Sequence, residues 1–186
     1  MWFEEYIQEN KDLFLNRVKE ISVALDINPN WLMAVMMFES SLNHRAVNKI
    51  SNATGLIQFM PKTATSLGVT VSELKAMSNY DQLLYVYEYL KSYKNKMNSL
   101  TDVYFAVFFP AAIGKPDDWV LKTSSLSAAT IAKANPIFDL NGDGRIQVYE
   151  VKQYFENWLK KKIIIVSTAA GVILAGSIIA LILFSL

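Results

Sequence analysis

One carboxylate, Glu39, directly follows the strongly apolar run WLMAVMMF. A carboxyl group at the end of a buried helix loses hydration, which favours its neutral form and raises its pKa. A carboxylic acid that stays protonated near neutral pH can donate a proton to a leaving-group oxygen, and cleavage of glycosidic bonds is the reaction that most often needs this. The plainer alternative is a partly exposed glutamate at a frayed helix end, and position alone does not exclude it.

The segment that ends at Glu39 is predicted to be a central, mostly buried helix over roughly residues 29–41. Asn28 is suited to cap this helix, and Pro29 to begin its first turn. Its apolar side chains occupy more than one face, which is typical of a helix surrounded by other elements. They include Trp31, Leu32, Met33, Val35, Met36 and Phe38.

The elements around this helix are also predicted to be helical, so the fold class is mainly α. Residues 4–25 follow a helical period, and residues 42–55, rich in Asn, Ser, Thr and Gly, indicate a loop. No pair of β-rich runs with a hairpin turn is present. Further helices are expected from Pro61 to Gly68, after a Thr70–Glu73 capping box, from about 79 to 97 behind Ser78, and over TDVYFAVFF behind Thr101.

Two motifs together resemble a known family. Glu39-Ser40 is followed, after fourteen intervening residues, by GLIQFMP at residues 55–61. This pair resembles the lytic transglycosylases of the soluble-type, goose-lysozyme-like superfamily, in which a similar apolar helix ends in the catalytic Glu-Ser. The resemblance covers roughly residues 20–115 and implies a lysozyme-like α-helical domain.

The resemblance implies a role for each matching residue. Glu39 would be the single general acid and base, Ser40 would help to organise the site, and Gln58 and Met60 would line the saccharide groove. The implied reaction cleaves the MurNAc–GlcNAc β-1,4 bond of peptidoglycan glycan strands and leaves a 1,6-anhydro product. No cofactor is needed for that reaction.

The spacing of carboxylates is consistent with a mechanism that uses one acid. The next carboxylate after Glu39 is Glu73, more than thirty residues later. A hydrolase with paired carboxylates would need a distant partner such as Asp81, Glu88 or Asp102. Those three fall on predicted helices, where surface or capping roles are the more usual ones. Hydrolytic muramidase activity of the same superfamily remains the alternative.

The chain departs from the family pattern in one place. Members usually carry an A-Y-N-A-G-like motif whose Tyr contacts the catalytic acid, whereas this chain has YFAVFFPAAIG from Tyr104. Tyr104 is therefore a candidate to supply a hydroxyl and contact substrate. Tyr85, Tyr89 and Tyr93 form a stripe at helical spacing that could face sugar rings but is more typical of core. His44 is expected to be an exposed loop residue. The missing motif also keeps open a non-catalytic, glycan-binding virion or envelope protein.

A second motif, DLNGDGRIQVYE at residues 139–150, matches the twelve-residue loop of an EF-hand. Its predicted calcium ligands are Asp139, Asn141, Asp143, the backbone carbonyl of Arg145, and Glu150. With a single loop and no partner loop, calcium is expected to have a structural role. An Asn-, Gly- and Asp-rich turn that binds nothing is the alternative.

The C-terminal residues 163–186 carry no charge, and mean hydropathy of the whole chain is +0.20. A helix of this length spans a bilayer, so we predict a single-pass C-terminal anchor in the lipid bilayer. Trp158 and the lysines at 160–162 would mark the interface, which by the positive-inside rule places the head in the cytoplasm. The N-terminus does not resemble a secretory signal. Delivery from a bacteriophage virion, late release by membrane disruption, or an unusual export route in a bacterium would reconcile this orientation with a peptidoglycan substrate outside the membrane.

Composition excludes several other classes of function. The chain has 18 Lys and Arg against 17 Asp and Glu, so no basic surplus points to nucleic acid. It contains no cysteine, which excludes disulfides and thiol chemistry. The predicted organisation is a transglycosylase domain at 1–135, an EF-hand-like segment at 136–160 and an anchor at 161–186.

Overall fold

The computed structural model describes the backbone of residues 1–169, and this part of the chain is mainly helical. Three isolated β-bridges are present in it, and no strand. The α-helices of this described part are α1 (Lys11–Leu25), α2 (Pro29–Ser40), α3 (Pro61–Ser66), α4 (Val71–Ala76), α5 (Asn79–Leu90), α6 (Leu100–Phe108), α7 (Ala128–Ala134) and α8 (Val148–Ala169). The predicted mainly α class is confirmed.

Backbone contacts divide the chain into two compact units, Met1–Val103 and Tyr104–Leu186. The first unit contains α1 to α5 and all the residues of the Glu39 and GLIQFMP motifs. The second contains α7, α8 and the predicted calcium loop. The domain boundaries predicted after residues 135 and 160 stay predictions.

In the first unit, α1 packs against α2 and α5. The chain reverses between α1 and α2, so their axes meet at 115°. Six consecutive residues of α2, Leu32 to Met37, are buried, because aliphatic and thioether side chains cover all sides of this helix. This burial makes α2 the central helix that its sequence predicts.

Most predicted helix starts in this unit are confirmed by their caps. The side chain of Asn28 accepts a hydrogen bond from the Asn30 amide, and Pro29 begins α2. Thr70 and Glu73 form the reciprocal capping box of α4. The Ser78 hydroxyl accepts from the Asp81 amide at the start of α5.

Three predicted helix limits were wrong. The helix expected over residues 4–25 is interrupted, because Asn10 adopts a left-handed conformation and α1 begins only at Lys11. Helix α5 ends at Leu90 instead of near residue 97, and a 3-10 turn follows it. The Asp102 amide donates to the Ser99 hydroxyl, so Ser99 caps α6 in place of Thr101.

The second unit is organised around aromatic rings. The ring of Tyr104 stacks on those of Phe108 and Phe155 with centroids 5.5 and 4.7 Å apart, and Phe138 packs against Tyr104 and Phe108. Backbone hydrogen bonds join residues 117–121 to residues 146–149. These contacts fix the start of α8 at Val148, within the last three residues of the predicted calcium loop.

Most of the predicted membrane span, residues 170–186, lies outside the described residues. Within the described chain, no single helix has the length and apolar character needed to cross a bilayer. Helices α1 and α2 would meet that requirement only as a pair, and this pair is bent.

Candidate active site

Glu39 is the penultimate residue of α2, and its side chain is half-buried. Burial is the cause that raises its pKa from 4.5 to about 7. The group is therefore partly protonated at neutral pH, which is the state that a general acid needs. Burial of the Glu39 carboxyl, which its position after an apolar helix predicts, is therefore present in the structure.

A short turn, residues 54–59, is built from the GLIQF part of the second motif. Thr54 and Phe59 exchange backbone hydrogen bonds of 3.0 and 2.8 Å, which close the turn at its base. Gly55 has φ +88° and Gln58 has φ +52°, so the chain passes twice through the left-handed region within four residues. We call this segment the GLIQF turn.

Ser40 joins helix α2 to the GLIQF turn. Its hydroxyl lies 3.0 Å from the carbonyl oxygen of Met36 and 3.0 Å from that of Leu56, and it is largely buried. A serine hydroxyl has one proton, so the two carbonyls share it. The contacts of Ser40 are with backbone, which fits an organising role beside Glu39 better than direct contact with a saccharide.

The two predicted groove residues differ in their surroundings. The side-chain Nε2 of Gln58 donates to the carbonyl oxygens of Gly55 at 3.0 Å and of Ala46 at 3.4 Å. Gln58 therefore stabilises the turn with its own side chain. Met60 directly precedes α3 and is 48% exposed, so its thioether side chain remains free to contact a ligand.

Tyr89, on α5, lies within electrostatic range of Glu39. Burial raises the pKa of the Tyr89 hydroxyl, and Tyr93 and the negative charge of Glu39 raise it further. Glu39 experiences no matching effect from Tyr89, because the phenol is neutral at every pH at which Glu39 titrates. The Tyr89 ring also meets Phe59 of the GLIQF turn edge to face, with centroids 6.3 Å apart.

Tyr104 has surroundings unlike those expected of a groove residue. Its side chain is 2% exposed, and its ring stacks within the aromatic cluster of the second unit. A ring covered in this way offers no face to a sugar. The direct substrate contact suggested for Tyr104 therefore receives no support from its burial.

Two other expectations about the first unit were wrong. Tyr85, Tyr89 and Tyr93 are half-buried, not core, because they lie on a face of α5 and its continuation that is only partly covered. His44 is 6% exposed, not an open loop residue, and its Nε2 lies 3.1 Å from Oε1 of Glu9. Desolvation is the main cause that lowers the pKa of His44.

The three distant carboxylates have the capping and surface roles expected of them. Asp81 accepts from the Ser78 hydroxyl, and Asp102 accepts from the Ser99 hydroxyl and the Asn98 amide. Glu88 forms an ion pair with Lys91 on the surface of α5. Among the described residues, Glu39 is the carboxyl group whose pKa is strongly raised.

The predicted calcium loop is stabilised by hydrogen bonds from its backbone amides to its own carboxylates. Glu150 is fully buried, and its carboxylate accepts from the amides of Leu140, Asn141 and Gln147 at 2.8–3.2 Å. Asp139 accepts from two further amides of the loop. Carboxylate oxygens are also hard ligands of the kind that calcium prefers. Within the described residues, however, no three His, Cys, Asp or Glu side chains are grouped closely enough to hold a metal ion.

Residues 17–108 match the transglycosylase SLT domain. This SLT segment supports a relationship to the lytic transglycosylase and lysozyme-like superfamily, and it indicates a glycan-cleaving enzyme. It spans α1 to α6 and contains both Glu39 and the GLIQF turn. The comparisons with curated proteins and with solved structures returned no match.

Two contacts within the SLT segment were not predicted from the sequence: those of the Gln82 side chain with backbone groups, and that of Tyr89 with the GLIQF turn. Gln82 is an uncharged polar residue at a position that the helical period of α5 makes internal, and this was the available signal. Tyr89 was visible as part of a stripe, but nothing in the sequence showed which element it would meet. Both depend on contacts between segments at least 26 residues apart.

Proposed function

We propose that this chain is a peptidoglycan lytic transglycosylase that cleaves the MurNAc–GlcNAc β-1,4 bond with Glu39 as its only acid and base. The observation that carries the proposal is the raised pKa of Glu39 beside a turn built from GLIQF. The match of residues 17–108 to the SLT domain supports the same substrate class.

The reaction needs two proton transfers at one carboxyl group. Protonated Glu39 gives its proton to the bridging O4 as the C1–O4 bond breaks, and the GlcNAc leaves with a free hydroxyl. The resulting carboxylate takes the proton of the MurNAc C6 hydroxyl, and O6 forms a bond to C1. The product is a 1,6-anhydro ring, no water is consumed, and Glu39 ends in its protonated state.

Tyr89 is the residue that we assign to the neighbourhood of the acid. The phenol is uncharged throughout the working pH range, so it supplies a polar group without a competing charge. Its edge contact with Phe59 and its tilted contact with Tyr93 fix the ring from two sides. Tyr89, and not Tyr104, then supplies the tyrosine that family members place next to the catalytic acid.

The alternative of a hydrolytic muramidase is less favoured, because the carboxylates that were candidates for a second catalytic group already have other roles. An inverting hydrolase needs a second carboxylate roughly 6.5–9.5 Å from the acid to activate water. Asp81, Glu88 and Asp102 instead cap helices or pair on the surface. A non-catalytic glycan-binding protein would have no use for a carboxyl protonated near neutral pH.

We also propose that residues 163–186 anchor the chain in a lipid bilayer. Their lack of charge over 24 positions and the preceding lysines support this. An anchored enzyme would reach peptidoglycan if a phage virion delivered it to the bacterial envelope, or if the membrane were disrupted late in infection.

A calcium-binding role for residues 139–150 is a separate proposal. The motif supplies suitable oxygen donors at every ligand position, Asp139, Asn141, Asp143, the Arg145 carbonyl and Glu150. In the structure the four side chains accept hydrogen bonds from loop amides. No three carboxylates of the described residues are close enough to hold an ion, so calcium binding would have to draw the ligands together. A bound ion would stabilise the loop that leads into α8 and is not needed for cleavage.

The experiment that tests the proposed activity is digestion of purified peptidoglycan by the full-length chain and by its Glu39→Gln variant. Glutamine keeps the size and polarity of the side chain and removes the transferable proton. Cleavage by the wild type and its loss in the variant, together with 1,6-anhydro products, would support the proposal.

A further inference from the structure

Gln82 is a fully buried amide whose polar atoms all bind backbone. It lies on α5 with 0% exposure. Its Oε1 accepts from the Leu56 amide at 2.6 Å, and its Nε2 donates to the carbonyl oxygens of His44 at 2.9 Å and Leu74 at 2.8 Å. A buried amide normally needs this number of partners to offset its desolvation.

These three bonds connect separate segments of the first unit. His44 belongs to the chain that leaves α2, Leu56 belongs to the GLIQF turn, and Leu74 lies in α4. Gln82 therefore fixes the turn relative to the helix that carries the acid and to the helix that follows α3. No charge is involved, so these contacts are independent of pH.

The peptide groups of Leu56 are held from two directions. Gln82 accepts from its N–H, while Ser40, the neighbour of Glu39 in sequence, donates to its C=O at 3.0 Å. A continuous chain of hydrogen bonds thus runs from α5, through one residue of the turn, to the end of α2. Any shift of Leu56 would be transmitted to Ser40 and so to the backbone of Glu39.

The close approach of Gln82 also explains why Gly55 precedes Leu56. A Cβ atom at Gly55 would lie 2.8 Å from Cδ and 2.9 Å from Nε2 of Gln82. Atoms cannot approach this closely without a shift, and the φ of +88° disfavours any side chain there as well. The glycine of the motif and the glutamine of α5 therefore form one steric unit.

Helix α5 contributes to the site a second time, two turns after Gln82. Tyr89 meets Phe59 of the same turn and lies within electrostatic range of Glu39. The turn is consequently fixed at Leu56 by Gln82 and at Phe59 by Tyr89. This arrangement restricts the position of the turn, which Ser40 joins to the end of the helix that carries the acid.

We propose that Gln82 is a positioning residue for catalysis, which holds the GLIQF turn against Ser40 and thereby keeps Glu39 in its dry, reactive position. The inference rests on the proposed function only in naming Glu39 as the acid. It assigns no contact between Gln82 and substrate.

The test compares Gln82→Met and Gln82→Asn with Val86→Ala in the full-length chain. Methionine is close to glutamine in length but leaves all three backbone partners without a side-chain bond. Asparagine is one methylene shorter and cannot reach all three. Val86 is also fully buried on α5, and its truncation weakens packing without removing a hydrogen bond.

Two measurements separate positioning from general stability. The first is kcat and KM on peptidoglycan at temperatures where each variant is folded, and the second is titration of the Glu39 carboxyl carbon by NMR. We expect kcat to fall roughly tenfold to a hundredfold in both Gln82 variants, with a smaller change in KM. We also expect the pKa of Glu39 to move from about 7 toward 4.5, because water reaches the acid. Val86→Ala should change neither.

The opposite pattern would overturn the inference. If the Gln82 variants lose thermal stability but keep wild-type kcat and the wild-type titration of Glu39, Gln82 is merely a structural residue. If Gln82→Met does not fold, Gln82→Asn decides by the same readouts. Absence of cleavage by the wild type would contradict the proposed function, whereas the carboxyl titration would still test the role of Gln82.

Discussion

The hydroxyl of Ser40 lies 3.0 Å from the carbonyl oxygen of Leu56 and links the last residue of α2 to the turn beside the acid. The link joins two parts of the chain that are 16 residues apart in sequence. It also gives the Glu-Ser pair a physical meaning, because glutamate supplies the proton while serine fixes the neighbouring turn. The position of Glu39 thus depends on two short motifs acting together.

Replacing Ser40 with alanine should weaken this link. Ser40→Ala leaves the buried Leu56 carbonyl without its side-chain partner, which we expect to lower the free energy of unfolding by about 1–3 kcal/mol. It should also lower kcat, since the turn beside Glu39 is less well fixed. Chemical denaturation and initial rates on peptidoglycan would measure the two effects. Ser66→Ala is the matched control, because the Ser66 hydroxyl donates to a backbone carbonyl on an exposed helix. An equal loss of stability and kcat in Ser66→Ala would contradict the link between Ser40 and the turn.

Removing the hydroxyl of Tyr89 should reduce turnover while preserving the fold. Tyr89→Phe keeps the ring that meets Phe59 and removes only the polar group near Glu39. We expect kcat to fall about tenfold, which corresponds to about 1.4 kcal/mol of lost transition-state stabilisation. Tyr85→Phe, one turn earlier on α5, is the control and should stay within about twofold of the wild type. Equal kcat values for the two variants would exclude the assigned role of Tyr89.

The raised pKa of Glu39 makes stability depend on pH. Between 4.5 and about 7 the folded chain holds a proton at Glu39 that the unfolded chain has lost, so this contribution to the free energy of unfolding falls as pH rises. Glu39→Gln cannot titrate, so its stability relative to the wild type should increase across that interval. Denaturation at several pH values would show this, with the exposed Glu5→Gln as control. A difference between Glu39→Gln and wild type that does not vary with pH would contradict a raised pKa.

Calcium should stabilise the full-length chain if residues 139–150 bind it. At a concentration of 100 times Kd, a ligand specific to the folded state adds about 2.7 kcal/mol, which appears as a higher Tm. Asp139→Ala should abolish the rise, because it removes the first ligand position of the loop. Asp118→Asn, an exposed residue outside the loop, should keep it. An unchanged Tm of the wild type in calcium would refute the site.

Sequence patterns predicted the features that depend on neighbouring residues. The cap at Asn28, the Thr70–Glu73 box and the burial of α2 all follow from local preferences, and all are confirmed. The early end of α5 and the burial of His44 were missed, because both depend on which distant segments cover them. The partner of the GLIQF turn could not be identified for the same reason. A glutamine inside a helix gives no indication of the backbone groups that it will bind.

The central claim is that Glu39 acts alone and leaves a 1,6-anhydro end. Mass spectrometry of the muropeptides released by the full-length chain tests this most directly, because hydrolysis adds one water and the anhydro product lacks it. We predict 1,6-anhydro-MurNAc ends from the wild type and no released products from Glu39→Gln. Reducing ends from the wild type, or undiminished release by Glu39→Gln, would contradict the proposed mechanism.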